Sequence, residues 1–307
     1  MANPTSAGTA LPHSTSCGKK PDVCSEENIF FLLQKKFSLL QKDFSLLEKE
    51  LFLPERDAEW LRFGEIVSTS TFLRTYERKN QALPYVVATA QFQTAGRGQR
   101  GNSWESEAGK NLLFSIAHYA PPVAPKDQFF ISELISCSIL AVLTDLFPTH
   151  KEHFRIKWPN DIYWKDRKLA GILIEHELSE NRILKTIIGI GINVNQRAFL
   201  SDAPNPVSLL QATGEEIAEP ENILQRILAC YANVMNQYRD APSPWATLIG
   251  EAYHSVLYRR GTKASYRDAQ GIFQAVLERV EPDGMLCLRD DRQNLRRYAF
   301  KEVVYLI

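Results

Sequence analysis

The stretch KWPNDIYWKDRKLAGILIE, residues 157–175, alternates apolar runs with charged turns and decides the local fold. Residues typical of turns separate its apolar runs and predict paired strands: Pro159, Asn160 and Asp166–Lys168. Lys168 then enters an apolar strand, where an unpaired ammonium is costly unless an anion compensates it. We therefore expect an anionic substrate at this hairpin. The alternative is an ordinary charged hairpin in which Lys157 pairs with Asp161 at the surface.

Outward from this hairpin, strand-like and helix-like patterns alternate along the chain. The predicted strands are 85–92, 112–119, 154–164, 169–178 and 186–195, and the predicted helices are 127–147, 221–239 and 244–256. This order predicts an α/β (α+β) fold with a mixed, largely antiparallel sheet and helices. The end of the chain differs, because short runs separated by turn residues predict a small β-barrel: 272–280, 285–288 and 297–307.

Composition and charge exclude several classes of protein. The 307 residues are 44% hydrophobic and 23% charged, which favours a compact protein of about two domains. The 36 basic residues equal the 36 acidic ones, so we expect no nucleic-acid partner, because no excess positive charge is present to hold phosphates. Five cysteines lack zinc-ligand spacing, and no apolar run reaches the roughly 18 residues of a membrane span. We expect a cytoplasmic protein without membrane contact.

The first part of the chain has a different composition from the rest. Residues 1–28 are rich in Ser, Thr, Pro, Gly and Ala, which predicts a disordered tail. From Phe30, large apolar residues recur every seven positions for about three heptads. We expect a helix that packs on its own protein or is poorly ordered, with a short coiled coil as the alternative. Pro54 ends this pattern.

A glycine-rich segment, QTAGRGQRGNSW, occupies residues 93–104. Its glycines fit the GxGxxG template of dinucleotide-binding folds, but the next predicted element is a strand rather than the helix that this template requires. We expect a loop whose glycines let the backbone approach a ligand and whose arginines bind the ligand's phosphates. The alternative is a solvated basic turn.

A third segment, IIGIGINVN at residues 187–195, is a buried-type strand that contains Gly189 and Gly191. Glycine inside a strand often marks the close approach of a ligand, although packing against a helix explains it equally well. Asn193 offers a donor and an acceptor to a base or a ribose. In the hairpin, the Asp161 carboxylate suits Mg²⁺, which prefers one or two carboxylates together with substrate phosphates.

Together these three segments resemble the biotin–protein ligases in order and approximate spacing, and Ser68–Ser70 reads STS where that family usually has Ser-Thr-Asn. The resemblance covers roughly residues 60–307. It implies a class II synthetase-like core followed by an SH3-like domain. The implied domains are a tail and heptad-like helix without a DNA-binding domain at 1–59, a biotin- and ATP-binding domain at 60–258, and an SH3-like domain at 259–307.

The resemblance also implies an activity in two half-reactions. Biotin and ATP, with Mg²⁺, give biotinyl-5'-AMP, and the biotinyl group then passes to a lysine on the biotin carboxyl carrier domain of a biotin-dependent carboxylase. The enzyme is expected to be a monomer or a homodimer. One alternative is a lipoate–protein ligase, although the typical Arg-Arg-x-Ser-Gly-Gly-Gly loop is absent. Another is a non-catalytic, biotin-responsive regulator, which the lack of a helix-turn-helix pattern before residue 60 disfavours.

Carried over by position, the resemblance assigns individual residues. The catalytic residues are Lys168 and Arg97. The biotin-binding residues are Ser68, Thr69, Ser70, Gln93, Gly96, Arg97, Gly98, Gln99, Lys168, Gly171, Gly189 and Gly191. The nucleotide-binding residues are Arg97, Gly98, Gln99, Arg100, Trp104, Lys157, Asn160, Asp161, Lys168 and Asn193, with Asp161 as the Mg²⁺ ligand.

Two positions depart from the family pattern. Gln99 stands where many relatives have Arg, which removes one cation that would face a phosphate. Ser70 replaces the common Asn, so its polar contact with the ligand is expected to be shorter or mediated by water.

Overall fold

The fold is taken from a computed structural model that describes residues 57–201 and 204–307. The side chain of Arg100 is outside the described part. The tail and the heptad-like helix predicted within residues 1–56 also lie outside the described residues.

A seven-stranded sheet forms the larger part of the molecule, in the order β1-β2-β3-β7-β6-β5-β4. Its strands are β1 Ala58–Ile66, β2 Tyr85–Gln93, β3 Leu112–Tyr119, β4 Phe154–Lys157, β5 Asp161–Trp164, β6 Arg167–Ser179 and β7 Arg182–Ile192. The first two strands are parallel and are connected through a short helix, α1 (Thr69–Thr75), while every other neighbouring pair is antiparallel. The prediction of a mixed, largely antiparallel sheet is confirmed.

Four further helices accompany this sheet: α2 Phe129–Leu146, α3 Leu209–Thr213, α4 Glu221–Asp240 and α5 Pro242–Ser255. α2 packs against both α4 and α5, and it contributes twelve buried residues. By length and composition α2 is apolar enough to cross a membrane, but 61% of that window is buried inside the structure. Its apolar surface is therefore explained by core packing.

A second, antiparallel sheet of five strands follows in the order β11-β10-β9-β8-β12. Its strands are β8 Lys263–Asp268, β9 Gly271–Val280, β10 Leu286–Asp290, β11 Leu295–Tyr298 and β12 Val304–Tyr305. This arrangement is consistent with the predicted SH3-like domain. The indole nitrogen Nε1 of Trp158 donates to the carbonyl oxygen of Gly284 at 2.9 Å, which joins this sheet to the β4–β5 hairpin.

The structure differs from the sequence prediction at several strands. The run predicted at 154–164 is a hairpin of β4 and β5 that bends at the cis Trp158–Pro159 bond, and the run predicted at 297–307 divides into β11 and β12. β1 and α1 were not individually predicted. β1 is an edge strand with many charged residues and mixed exposure, so its alternation is weak, and the seven residues of α1 are too few to show helical periodicity.

Candidate active site

A cleft of about 1610 Å³ lies over the seven-stranded sheet and extends to the C-terminal strands. Nearly every residue that the sequence assigned to the site lines it. Gly96 does not line the cleft, and the side chain of Arg100 is not described. The three sequence segments, although separated by tens of residues, therefore meet around one space.

The buried end of the cleft is a cluster of hydroxyl and amide groups. Ser68 is the N-cap of α1, and its Oγ lies 3.1 Å from that of Ser70. Gln93 Oε1 accepts hydrogen bonds from the backbone N–H (2.7 Å) and the hydroxyl (3.1 Å) of Thr69. The Thr69 hydroxyl also lies 2.7 Å from Ser115 Oγ. This end of the cleft offers several fixed donors and acceptors to a small polar ligand group.

The floor of the cleft is formed by glycines of β6 and β7, and Trp104 lies against two of them. A Cβ at Gly191 would come within 2.4 Å of the Trp104 ring, and one at Gly171 within 2.9 Å. At Gly189 the nearest atoms would be at 3.4 Å. The absence of side chains at Gly171 and Gly191 therefore makes room for the indole ring. Its nitrogen is buried without a hydrogen-bond partner among the described residues.

Gly96 is required by packing within the glycine-rich loop. A Cβ there would lie 2.8 Å from the carbonyl oxygen of Trp104, because the two arms of the loop approach closely and the Trp104 N–H donates to the Gly96 carbonyl at 2.9 Å. The loop contains only a single 3₁₀ turn, Gln99–Gly101. The prediction that this segment does not open a dinucleotide-type helix agrees with that geometry.

The polar hairpin places two cations beside one carboxylate. Lys168 Nζ lies 2.7 Å from Asp161 Oδ1, so the carboxylate pairs with Lys168 and not with Lys157 as in the alternative from sequence. This ion pair is not aligned as a hydrogen bond, because Asp161 Oδ1 is buried without a hydrogen-bond partner in the described structure. Asn160 supports the hairpin by donating to the Ile172 carbonyl at 2.6 Å.

Lys157 sits deeper in the hairpin, between aromatic rings. Its Nζ lies 4.6 Å from the ring centroid of Tyr305 and 5.2 Å from that of Tyr163. Burial lowers the pKa of this ammonium, and the nearby charge of Lys168 adds to that shift, while Asp161 opposes it. Among the described residues no carboxylate oxygen lies within ion-pair distance of Lys157. An anionic ligand would supply the missing countercharge.

The Arg97 guanidinium contacts a carboxylate on β6. It donates from both terminal nitrogens to the two oxygens of Glu175, at 3.1 and 3.2 Å. Arg74 donates to the same carboxylate at 2.7 Å. Partial burial alone would raise the pKa of Glu175, but the hydrogen bonds from Arg97 and Arg74 outweigh it and hold that pKa below its usual value.

Asn193 lies at the far end of β7, where the strand leads into the next loop. Its side-chain nitrogen donates to the carbonyl of Val207 at 3.2 Å. Its side-chain oxygen is buried and has no hydrogen-bond partner in the described part of the chain. Because Asn193 also lines the cleft, this oxygen is available to a ligand donor.

Sequence reasoning missed two residues that hold the site together. One is Ser115, described above. The other is Glu105, whose two carboxylate oxygens accept from the backbone N–H groups of Leu200 (2.7 Å) and Ser201 (2.9 Å). Although desolvation raises the pKa of Glu105, the hydrogen bonds from this second loop outweigh it and lower that pKa. No local sequence pattern identifies Ser115 or Glu105, because the residues that each of them contacts are distant in sequence.

No protein-only metal site is present in the part of the chain that the structure describes. Across residues 57–201 and 204–307, no group of three or more His, Cys, Asp or Glu side chains could hold a metal ion. A metal at this cleft would therefore need further ligands from a substrate.

Comparison with known proteins identifies relatives over most of the described chain. Residues 63–193 match the model of the Biotin/lipoate A/B protein ligase family. The bifunctional ligase/repressor BirA of Bacillus subtilis (strain 168) is 31% identical over 239 residues, which cover 76% of this chain and 70% of that protein. The biotin--[acetyl-CoA-carboxylase] ligase of Paracoccus denitrificans is 29% identical, over 67% of this chain and 83% of that protein.

Among solved structures, the fold is similar to that of the biotin protein ligase from Aquifex aeolicus in complex with biotin and ATP. The TM-score is 0.64 at 22% identity, and the match covers 81% of this chain and 98% of that one. The biotin protein ligase from Leishmania major in complex with biotinyl-5-AMP gives a TM-score of 0.53 at 18% identity, over 79% and 98% of the two chains. At these identities the likeness concerns the fold.

Proposed function

Because this chain belongs to the biotin–protein ligase family, it is an ATP-dependent ligase that activates biotin and transfers it to a carrier protein, and we propose that the cleft over the seven-stranded sheet carries out both half-reactions. In the first, a carboxylate oxygen of biotin attacks the α-phosphorus of ATP, and the bond to pyrophosphate breaks. In the second, the amine of a carrier lysine attacks the acyl carbon of the adenylate. The bond to AMP breaks, and the amine loses a proton.

The order of chemical groups along the cleft supports this proposal and is the observation that carries it. The hydroxyl and amide cluster at Ser68, Thr69 and Gln93 suits the ureido group of biotin, which has both donors and acceptors. The glycine floor then leads toward Lys168, whose ammonium suits the biotin carboxylate and the α-phosphate. One end therefore recognises a neutral polar head and the other end attracts anions.

The cations of the cleft suit the charge that builds up during adenylation. Attack at phosphorus leaves negative charge on the equatorial oxygens, and preorganised cations stabilise this charge. We assign Lys168 and Arg97 to these oxygens and Lys157 to the triphosphate. The uncompensated charge of Lys157 and the free side-chain oxygen of Asn193 support their assignment to the nucleotide.

Mg²⁺ fits this site as a companion of ATP. The Asp161 carboxylate lines the cleft beside Asn160, and its oxygens are hard donors of the kind that Mg²⁺ prefers. The ion would neutralise charge on the phosphates of ATP when it is bound there. Asp161 would contribute one ligand to the ion, and its ion pair with Lys168 holds the carboxylate in position.

The carrier is proposed to be the biotin carboxyl carrier domain of a biotin-dependent carboxylase, and the enzyme to work in the cytoplasm as a monomer or a homodimer. The Bacillus relatives are named as ligase and repressor together. We propose ligase activity without DNA binding here, because residues 1–59 carry no helix-turn-helix pattern and the chain has no excess of basic residues.

The test is to incubate the purified full-length protein with biotin and MgATP and to measure biotinyl-adenylate by mass spectrometry. We expect a stoichiometric amount of adenylate on the protein and transfer to an added carrier domain. Absence of the adenylate would overturn the proposal. Lipoate in place of biotin distinguishes the lipoate–protein ligase alternative, and calorimetric titration with both acids gives the preference.

A regulator would give a different pattern of results in parallel measurements. A non-catalytic, biotin-responsive protein would bind biotin without consuming ATP. Binding of duplex DNA at a stated salt concentration, with and without biotin, tests the repressor activity that the Bacillus relatives' names report. We expect only weak DNA binding that disappears as the salt concentration rises.

A further inference from the structure

Glu175 lies on the cleft face of β6 but does not line the cleft itself. Successive side chains of a strand alternate between the two faces, so Glu175 shares a face with Leu173 and Gly171, which do line it. Its carboxylate is 31% exposed and contacts two arginines from different elements. This three-residue cluster is not explained by the contacts proposed for biotin and ATP.

The geometry of the Arg97 contact leaves that arginine able to bind a second anion. A guanidinium has five N–H donors, and the two contacts with Glu175 use one on each terminal nitrogen. Three donors remain, including the one on Nε. Arg97 also lines the cleft, so these donors can reach a ligand there while the contact with Glu175 persists.

Arg74 fixes the position of the carboxylate. It belongs to the last turn of α1, the helix whose first residue, Thr69, contributes to the hydroxyl cluster of the site. Lys185 Nζ holds the same turn by donating to the Arg74 carbonyl at 3.0 Å. Glu175 is therefore attached to a helix of the main domain, while Arg97 belongs to a glycine-flanked loop.

Stability does not explain the cluster. Arg97 and Glu175 are each about one-third exposed, and ion pairs near the surface contribute about 0–1 kcal/mol to folding. An arginine on a glycine-rich loop, however, loses conformational entropy whenever it binds an anion, and a contact that orders it beforehand reduces this cost. The contact therefore has more effect on ligand binding than on folding.

We propose that Glu175 is a positioning residue for adenylation: it orients the Arg97 guanidinium toward the phosphate of the substrate and of the bound adenylate. This inference rests on the proposed function, because it concerns the same site. Glu175 acts through Arg97 and does not contact the reacting atoms. The countercharge of Arg74 keeps the net charge of the three side chains positive, so an anion is still attracted.

The test compares Glu175→Gln with Glu180→Gln. The control residue is an exposed carboxylate directly after the end of the same strand. For Glu175→Gln we expect kcat/KM of adenylation to fall about 10- to 100-fold, because small misplacements of catalytic groups have effects of that order. We expect faster release of preformed biotinyl-adenylate and a melting temperature close to that of the control. Glu175→Asp, which keeps the charge, should recover part of the loss.

A double variant distinguishes positioning from a general structural effect. If Glu175 acts through Arg97, then Glu175→Gln causes no further loss in a protein that already carries Arg97→Gln. Losses that multiply in the double variant would overturn the proposal, and so would wild-type kinetics for Glu175→Gln. If Glu175→Gln does not fold, Arg74→Gln is the substitute. It removes one support of the Glu175 carboxylate and leaves Arg97 and Glu175 unchanged, and we expect faster release of biotinyl-adenylate.

The test of the proposed function can be distinguished from the test of this inference. A wild-type protein that forms no adenylate overturns the proposed function and this inference with it. A wild-type protein that forms adenylate, beside a Glu175→Gln variant that does so equally well, overturns only the inference about Glu175.

Discussion

The ammonium nitrogen of Lys168 lies 2.7 Å from Oδ1 of Asp161, so the central cation of the cleft already has a carboxylate partner inside the protein. The sequence had indicated that a substrate anion would supply this countercharge. The pairing lowers the cost of placing a lysine in an apolar strand. A substrate carboxylate or phosphate must therefore share Lys168 with Asp161 or displace that carboxylate.

We predict that Lys168→Ala slows adenylation about 10²- to 10³-fold, equivalent to about 2.7–4 kcal/mol of transition-state stabilisation, as for removal of one preorganised donor. The rate of pyrophosphate exchange with biotin and MgATP measures the effect. Lys126→Ala, which removes an exposed lysine outside the cleft, is the control and should retain the wild-type rate. An unchanged rate in Lys168→Ala would mean that Lys168 serves only to balance Asp161.

The partner of Asp161 shows where sequence reasoning fails. In the β4–β5 hairpin, Asp161 is directly opposite Lys157, which is the pairing that a simple hairpin suggests. A register shift between β5 and β6, at Ile162 and Tyr163, makes Lys168 the neighbour of Tyr163. Such bulges change the direction of side chains, and no local residue pattern predicts this one.

Local motifs, in contrast, predicted residues that the fold brings together around one cleft. Each of the three segments contains its own turns, glycines and charged residues, and so the resemblance could assign residues by position. Ser115, Glu105 and Glu175 were not assigned because their contacts depend on how distant elements meet. The Thr69–Ser115 contact, for example, needs both the crossover through α1 and the register of β2 with β3.

The second prediction concerns the two loops that Glu105 connects. Glu105→Gln can accept only one of the two backbone N–H groups of Leu200 and Ser201, and each lost hydrogen bond is worth about 0.5–1.5 kcal/mol. We expect bound biotinyl-adenylate to dissociate about three to ten times faster, because Leu200 and Ser201 line the cleft. A chase with unlabelled adenylate measures the rate. Glu107→Gln, with an exposed side chain in the same segment, should behave like the wild type. Equal dissociation rates in both variants would mean that the contact between Glu105 and residues 200–201 does not retain the adenylate.

The third prediction concerns acid stability. His118 is buried in β3, 3.0 Å from the hydroxyl of Tyr231, and burial, with a smaller effect of Arg239, lowers its pKa to about 3. In the unfolded chain His118 becomes protonated below pH 6.5, whereas in the folded protein it stays neutral down to about pH 3. The unfolded state therefore binds more protons between these pH values, and the free energy of unfolding falls as the pH decreases. The slope attributable to this residue is about 1.4 kcal/mol per pH unit.

His118→Phe should be less stable at pH 7, since it leaves the Tyr231 hydroxyl without a partner, but its stability should decline less steeply toward pH 4. Urea unfolding at a series of pH values measures both quantities. His150→Gln, which replaces a partly exposed histidine beside Trp164, is the control. Parallel pH profiles for wild type and His118→Phe would contradict the assignment.

The last prediction concerns the N-terminal segment. The described sheet begins with β1 at Ala58, and among the described residues β1 pairs only with β2. Within the described residues, 57–201 and 204–307, the cleft is lined only from Ser68 onward. Removing residues 1–55 should therefore leave the rate of adenylation within about twofold of the full chain and leave the melting temperature nearly unchanged, since no buried core residue is lost from the described structure.

The full chain and the form without residues 1–55 are compared by circular dichroism, solubility and pyrophosphate exchange. A second truncation, which removes residues 1–66 and with them the edge strand β1, is the matched variant. It should be less stable, because it leaves β2 as an edge and exposes the side chains packed on Trp60. A collapse of solubility or activity in the form lacking only residues 1–55 would instead mean that the heptad-like segment covers the open side of β1 and belongs to the fold.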